Sequence, residues 1–215
     1  MEILAYSIMA STGLALFAML LLHFLSPEFK PSWRMISEYA MGKHKWAITT
    51  FFLFWGLSSI LTAAFLWNVV TGTWAVVAVI LIAISGVGAI MGGLFDVKHK
   101  LHGLSFSLGV PTMPIGALII CYHLLGTGFF EPFKTLMLLS SHAIWISLIL
   151  MAVSMMVMFS GFKKAGIPVG PDQKPPEVVP PGVIALGGYA NRLLVLCYAG
   201  WNVVIVYVFL FMFQF

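Results

Sequence analysis

Five residues able to do polar chemistry, Ser37, Glu38, Asp96, His102 and Arg192, come from three separate segments of an otherwise apolar chain. A cation with two carboxylates, a hydroxyl and an imidazole can recognise a lipid headgroup or a small anion. Arg192 would clamp the anion, Glu38 and Asp96 would orient the clamp, and His102 would donate a hydrogen bond. Arg192 also falls at the start of an apolar run, in Gly187-Gly188-Tyr189-Ala190-Asn191-Arg192, where the exposed N–H groups of a helix already favour negative charge. An ion pair of Arg192 with Glu38 or Asp96 is the plainer reading of the same residues.

Asp96, His99 and His102 are spaced three apart. If a helix begins this early, such steps spread the side chains over a face about 120° wide, close enough to share a ligand. A carboxylate and two imidazoles could hold a divalent metal and leave a fourth position for an activated water. With Glu38 as general base, the chemistry would be that of a metal-dependent hydrolase or transferase acting on lipid. The alternative is a hydrogen-bonded or solvated cluster, because the familiar helical zinc pattern places its histidines four apart. His123 and His142 form a third constellation. They fall in consecutive apolar runs at neighbouring depths, where two facing histidines could ligate a b-type haem and make an electron carrier. The competing expectation is that each bonds a nearby hydroxyl or carbonyl, with Ser140 and Ser141 as candidates.

The elements that must position these groups are six long apolar runs, at about 4–25, 46–70, 74–95, 103–125, 136–159 and 189–213. At 61% hydrophobic and 8% charged residues, with a mean hydropathy of +1.03, the chain is far more apolar than a soluble domain, in which about 25% of residues are charged. Each run is long enough to cross a hydrocarbon core of about 30 Å as a helix. Continuous runs favour helices over a barrel, whose strands alternate apolar and polar over about ten residues. The fold class expected is all-α, a six-transmembrane-helix bundle in one integral membrane domain, 1–215.

Ten of the eleven Lys and Arg residues lie in alternate gaps or, for Arg192, just past the edge of one: Lys30, Arg34, Lys43 and Lys45; Lys98 and Lys100; Lys163, Lys164, Lys174 and Arg192. Only Lys134 breaks the pattern. Short cytoplasmic loops retain excess positive charge, so these gaps should face the cytoplasm, with both termini outside and the protein in the cell (inner) membrane. The charges are dispersed beside the spans, which argues for membrane lipid and against nucleic acid as partner. No Asp, Glu or Lys lies inside a run, and Arg192 enters only about one turn. A carrier driven by a midplane carboxylate is thereby disfavoured.

Trp67 and Trp74 flank the Thr71-Gly72-Thr73 turn, and Trp33 and Trp46 flank the first basic gap, as expected of rings at the headgroup level. Trp33, Ile36 and Tyr39 would face lipid or core from a short interfacial helix. Gly88 and Gly92 make a GxxxG pair in the third run, suited to tight internal packing or, alternatively, to a helix-mediated oligomer. Pro111 and Pro114 remove helical hydrogen bonds to the carbonyls of Ser107 and Val110, which predicts a kink in the fourth run with or without a ligand cavity. Cys121 and Cys197 fall in different runs at different depths, so a disulfide is not expected. The fifth gap, with Pro168, Pro171, Pro175, Pro176, Pro180 and Pro181, reads as an irregular loop.

The motif residues also carry a family resemblance. Ser-Pro-Glu-Phe29 and Ile36-Ser37-Glu38-Tyr39 follow the first run, Gly-Leu-Phe-Asp96 with His102-Gly103 follows the third, and Gly-Tyr-Ala-Asn-Arg192 with Trp201 opens the sixth. In order and placement these resemble the bacterial and archaeal membrane family called domain of unknown function 998, over most of the chain. The resemblance implies a six-helix integral membrane fold and no established activity. Lys98-His99-Lys100 is more basic than that pattern, so a metal role would rest on His102 more than on His99. Recognition of a lipid headgroup or small anion is the leading expectation. The metal enzyme, the haem carrier and an accessory subunit packed through Gly88 and Gly92 are the alternatives.

Overall fold

The computed structural model describes residues 1–168 and 176–213. The described chain is all helical, with α1 Glu2–Leu25, α2 Lys45–Trp67, α3 Thr73–Leu94, α4 His102–Gly109, α5 Thr112–Gly126, α6 Lys134–Lys164 and α7 Gly187–Phe213. Two 3-10 turns, Ile36–Met41 and Glu131–Phe133, lie between α1 and α2 and before α6. Six segments are long and apolar enough to cross a membrane, α4 and α5 together forming the fourth. The protein is thus a multi-pass membrane protein whose span ends fall close to those read from hydropathy, except that α6 runs on to Lys164. Lys174, Pro171 and Pro175 of the fifth gap lie outside the described residues.

Neighbours in sequence are neighbours in space, and α7 returns to pack on α1, so the helices close a ring in chain order. Glycine sets the closest approaches. A Cβ on Gly56 would lie 2.5 Å from the Gly86 carbonyl oxygen, and one on Gly86 would lie 2.7 Å from that of Gly56, so α2 and α3 cross backbone to backbone. Gly88 faces the other way, into the chain's own fourth span, where an added Cβ would meet the Gly109 backbone nitrogen. A Cβ on Gly92 would touch the Phe52 ring at 3.4 Å. Both members of the GxxxG pair thus have neighbours within the chain.

At the expected kink near Pro111 and Pro114 the helix is interrupted at Val110 and Pro111, between α4 and α5, although both residues keep right-handed helical backbone angles. Pro114 has no N–H to offer the Val110 carbonyl, and the buried Tyr198 hydroxyl of α7 donates to that oxygen instead. The neighbouring Gly109 carbonyl accepts from Ser85 Oγ of α3 at 2.6 Å. Backbone freed at membrane depth must find a partner inside the protein, and for Val110 the Tyr198 hydroxyl supplies it. Further along α7, Trp201 Nε1 donates to Ser141 Oγ at 3.0 Å, and Asn202 Nδ2 donates to Ser58 Oγ at 3.2 Å, which is itself 2.6 Å from Thr12 Oγ1. The last helix is thus hydrogen-bonded to α1 by way of Ser58, to α2, to the broken fourth span and to α6.

Trp46, Trp67 and Trp74 are well exposed, as rings at a membrane interface would be. Trp33 is not. It is 7% exposed, packed on Met158 and edge-on to Phe162. Ile36 and Tyr39 are buried too, so this stretch turns inward and caps the bundle. Cys121 and Cys197 are both free thiols.

Candidate functional site

The loop between α1 and α2 is held to the start of α7 by short polar contacts. The N–H groups of Gly188 and Tyr189 donate to the Ser32 carbonyl, and Asn191 Oδ1 accepts from the Ile36 N–H at 2.9 Å. Only glycine permits this approach: a Cβ on Gly188 would lie 2.4 Å from the Pro31 carbonyl oxygen and 2.7 Å from that of Arg34. Arg192, one turn further on, is 8% exposed and faces inward. Its Nε donates to His23 Nε2 at 2.8 Å, its Nη1 to the carbonyls of Arg34 and Gly188 at 2.8 Å each, and its Nη2 to the Tyr39 hydroxyl at 3.1 Å. Guanidinium has five N–H donors, and four are thereby engaged by neutral protein acceptors.

Arg192 thus turns these four donors to protein groups, and among the described residues it forms no ion pair with Glu38 or Asp96. It joins α1, the first loop and α7, with Tyr39 passing the chain of hydrogen bonds to the Phe29 carbonyl. Glu38 accepts from the Met35 N–H at 2.9 Å and pairs with Arg34 at 3.5 Å. Burial pushes the Glu38 carboxyl above its ordinary value, against the opposing pull of Arg34, and burial likewise raises the Tyr39 phenol. The Arg34 guanidinium lies 4.3 Å above the Trp33 ring and donates to the Pro176 carbonyl. Asp96 is bound 3.0 Å from Lys45 Nζ and accepts from the Lys98 N–H. The Lys45 hydrogen bond holds the Asp96 carboxyl below its ordinary value.

Asp96, His99 and His102 do not converge as metal ligands. Asp96 is turned to Lys45, the exposed His99 stacks on Phe95 with its Nδ1 accepting from the Leu101 N–H, and His102 Nδ1 is 3.0 Å from the Phe95 carbonyl. The segment before α4 is a run of turns, so the helical spacing that would align them is absent. Among the described residues no three His, Cys, Asp or Glu side chains gather as a metal group. His123 and His142 have separate neighbours. His142 Nε2 meets the Tyr122 hydroxyl at 3.0 Å, and His123, about 100° further round the same helix, sits beside the Gly72 turn.

Of the polar residues singled out in the sequence, Ser37 and His102 do share a site, a cavity of about 200 Å³. Its walls are apolar, with Phe51, Phe52 and Trp55 of α2 facing Met151 and Met155 of α6, and with the Gly109-Val110 break along one side. Glu38, Asp96 and Arg192 do not line it. Asn191 does, and α7 thus supplies both the residue that fastens the loop and part of the chamber. Asn191, Tyr198 and Asn202 are spaced seven and four apart, which places them on one helical face. That periodic polar stripe in an apolar run is the sequence signal that could have identified α7 as the organising helix.

No curated protein and no solved structure shows a significant match to the chain. A family model described as Protein of unknown function (DUF998) matches residues 9–208, and the motifs that fasten the first loop to α7 lie within that stretch. The chain belongs to this family of unknown function.

Proposed function

We propose that the protein binds one amphipathic membrane lipid in this cavity, its tail among the aromatic and methionine side chains and its head at the end bounded by Ser37, His102 and Asn191. The observation that carries the reading is the ordering of the walls. Ser37, His102 and Asn191 stand near the beginnings of the 3-10 turn, α4 and α7, and Ser105, one turn along α4, donates to the Leu101 carbonyl, while Trp55 lies ten residues inside α2, about 15 Å deeper along the helix. The chamber therefore runs from a polar rim to an aromatic floor. At about 200 Å³ it exceeds the apolar cavity of about 150 Å³ that holds benzene in an engineered protein. Phe106 on its border is 49% exposed.

The basic loops lie at this same end, and the positive-inside bias supports a cytoplasmic placement for the rim in the cell membrane. The lipid would then be taken from the inner leaflet. Native mass spectrometry of protein released from mild detergent tests the reading. One retained lipid per chain is expected, and Ala89→Phe or Val195→Phe, each adding bulk to the cavity wall, should remove it while the thermal midpoint stays within a few degrees. Equal lipid retention in well-folded filled variants would overturn the proposal.

A further inference from the structure

Resting on that lipid-binding reading, we infer that the ligand carries an uncharged head with a free hydroxyl group, which donates a hydrogen bond to His102 Nε2. The chamber is lined by no Asp, Glu, Lys or Arg among the described residues. The charges nearest in sequence already have partners: Arg192 on four protein acceptors, Arg34 with Glu38, Lys45 with Asp96. A phosphate seated here would lose water without gaining a cation, which is costly for an isolated ion. A neutral head avoids that cost.

The hydrogen-bonding capacity of the rim then narrows the class. A carbonyl oxygen only accepts, so the contact with Phe95 requires the hydrogen to be on His102 Nδ1. In the neutral ring Nε2 is then an acceptor, and it has no protein partner among the described residues. Ser37 Oγ is likewise without a hydrogen bond among them, and as a hydroxyl it can donate to or accept from the same head. Asn191 contributes little, since its Oδ1 holds the Ile36 N–H and its Nδ2 points to the Met151 sulfur at 3.5 Å. The group left without a donor is the imidazole acceptor. A lipid alcohol supplies that donor where an ester or ether-capped lipid does not. A diacylglycerol and a polyprenol share this chemistry.

The inference is tested on the full chain in nanodiscs with five probes: 1,2-dioleoylglycerol, geranylgeraniol, the acetate ester of each, and dioleoylphosphatidic acid. Binding is read by thermal shift and native mass spectrometry. At least one alcohol should bind about tenfold tighter than its own acetate, the size expected of leaving one buried acceptor unpaired. Which of the two alcohols does so identifies the source. His102→Phe should abolish the alcohol-over-acetate preference, whereas His102→Gln, which keeps an acceptor at similar reach, should retain part of it. Acetates binding as tightly as the alcohols, or phosphatidic acid binding tighter than both, would overturn the hydroxyl assignment and leave the lipid site standing. Failure of all five probes to bind would overturn the lipid-binding reading itself.

Discussion

Arg192 Nε donates to His23 Nε2 across 2.8 Å, joining the last helix to the end of the first. Arginine can only donate, so His23 must accept at Nε2 and carry its hydrogen on Nδ1, which lies 2.7 Å from the Met19 carbonyl. The tautomer of one helix is set by a cation on another. Around this contact the first loop folds inward and closes the rim of the bundle.

Arg192→Ala should destabilise the protein by about 3 kcal/mol, because it leaves the Tyr39 hydroxyl, the His23 nitrogen and two carbonyls short of a buried donor. Arg192→Lys should recover little of this, since one ammonium cannot match a planar fork reaching three separate segments. Thermal or urea unfolding in a fixed detergent measures both. If the fold is unperturbed in the alanine variant, the guanidinium is not the tie described.

Gly188→Ala should cost about 2 kcal/mol or more, because the new methyl would be driven into backbone oxygens that cannot swing away. Gly187→Ala is the matched control. Its methyl would meet the ends of the Met158 and Met35 side chains at 3.1 and 3.3 Å, and flexible thioethers can shift. A clear difference in thermal midpoint between the two adjacent substitutions is expected, and equal midpoints would contradict the close approach.

Tyr198→Phe should cost about 1 to 2 kcal/mol by leaving the Val110 carbonyl without a donor at membrane depth. Pro114→Ala restores an N–H four residues on, so adding it to Tyr198→Phe should recover part of the loss. The double-mutant cycle gives the coupling. Strictly additive costs would mean that the hydroxyl does not substitute for the hydrogen bond that proline removes.

Two carboxylates at the loop end should give opposite pH dependences. Glu38 is raised by burial, so the folded state holds its proton more tightly than the unfolded chain does. Its contribution is present below the ordinary value of 4.5 and is lost as pH rises through its elevated value. Asp96 is lowered, so its contribution is present above the ordinary value of 3.8 and is lost as pH falls through its depressed one. Unfolding free energies of the wild type, Glu38→Gln and Asp96→Asn across pH 3 to 8 check the signs. Glu38→Gln should remove the decline on the alkaline side of 4.5, and Asp96→Asn should remove a decline on the acid side of 3.8.

By itself the sequence determined the six apolar segments, the family, the break near Pro111 and Pro114, and the small residues that let α3 approach its neighbours. Those properties are local. A run of about twenty apolar residues must form a helix in hydrocarbon whatever surrounds it, and a missing N–H is missing in any fold. The tertiary structure alone decided which polar groups meet. Arg192, Glu38, Asp96 and His102 occupy one end of the bundle, yet the rotation of α7 turns Arg192 toward His23 and Tyr39, the reach of Lys45 draws Asp96 away, and of the five residues expected to share a site His102 and Ser37 line the chamber. Partner choice depends on the azimuth of each helix and on the path of the first loop. Both are set by packing between segments more than a hundred residues apart, such as the contact of Gly188 with Pro31, and hydropathy carries no record of them.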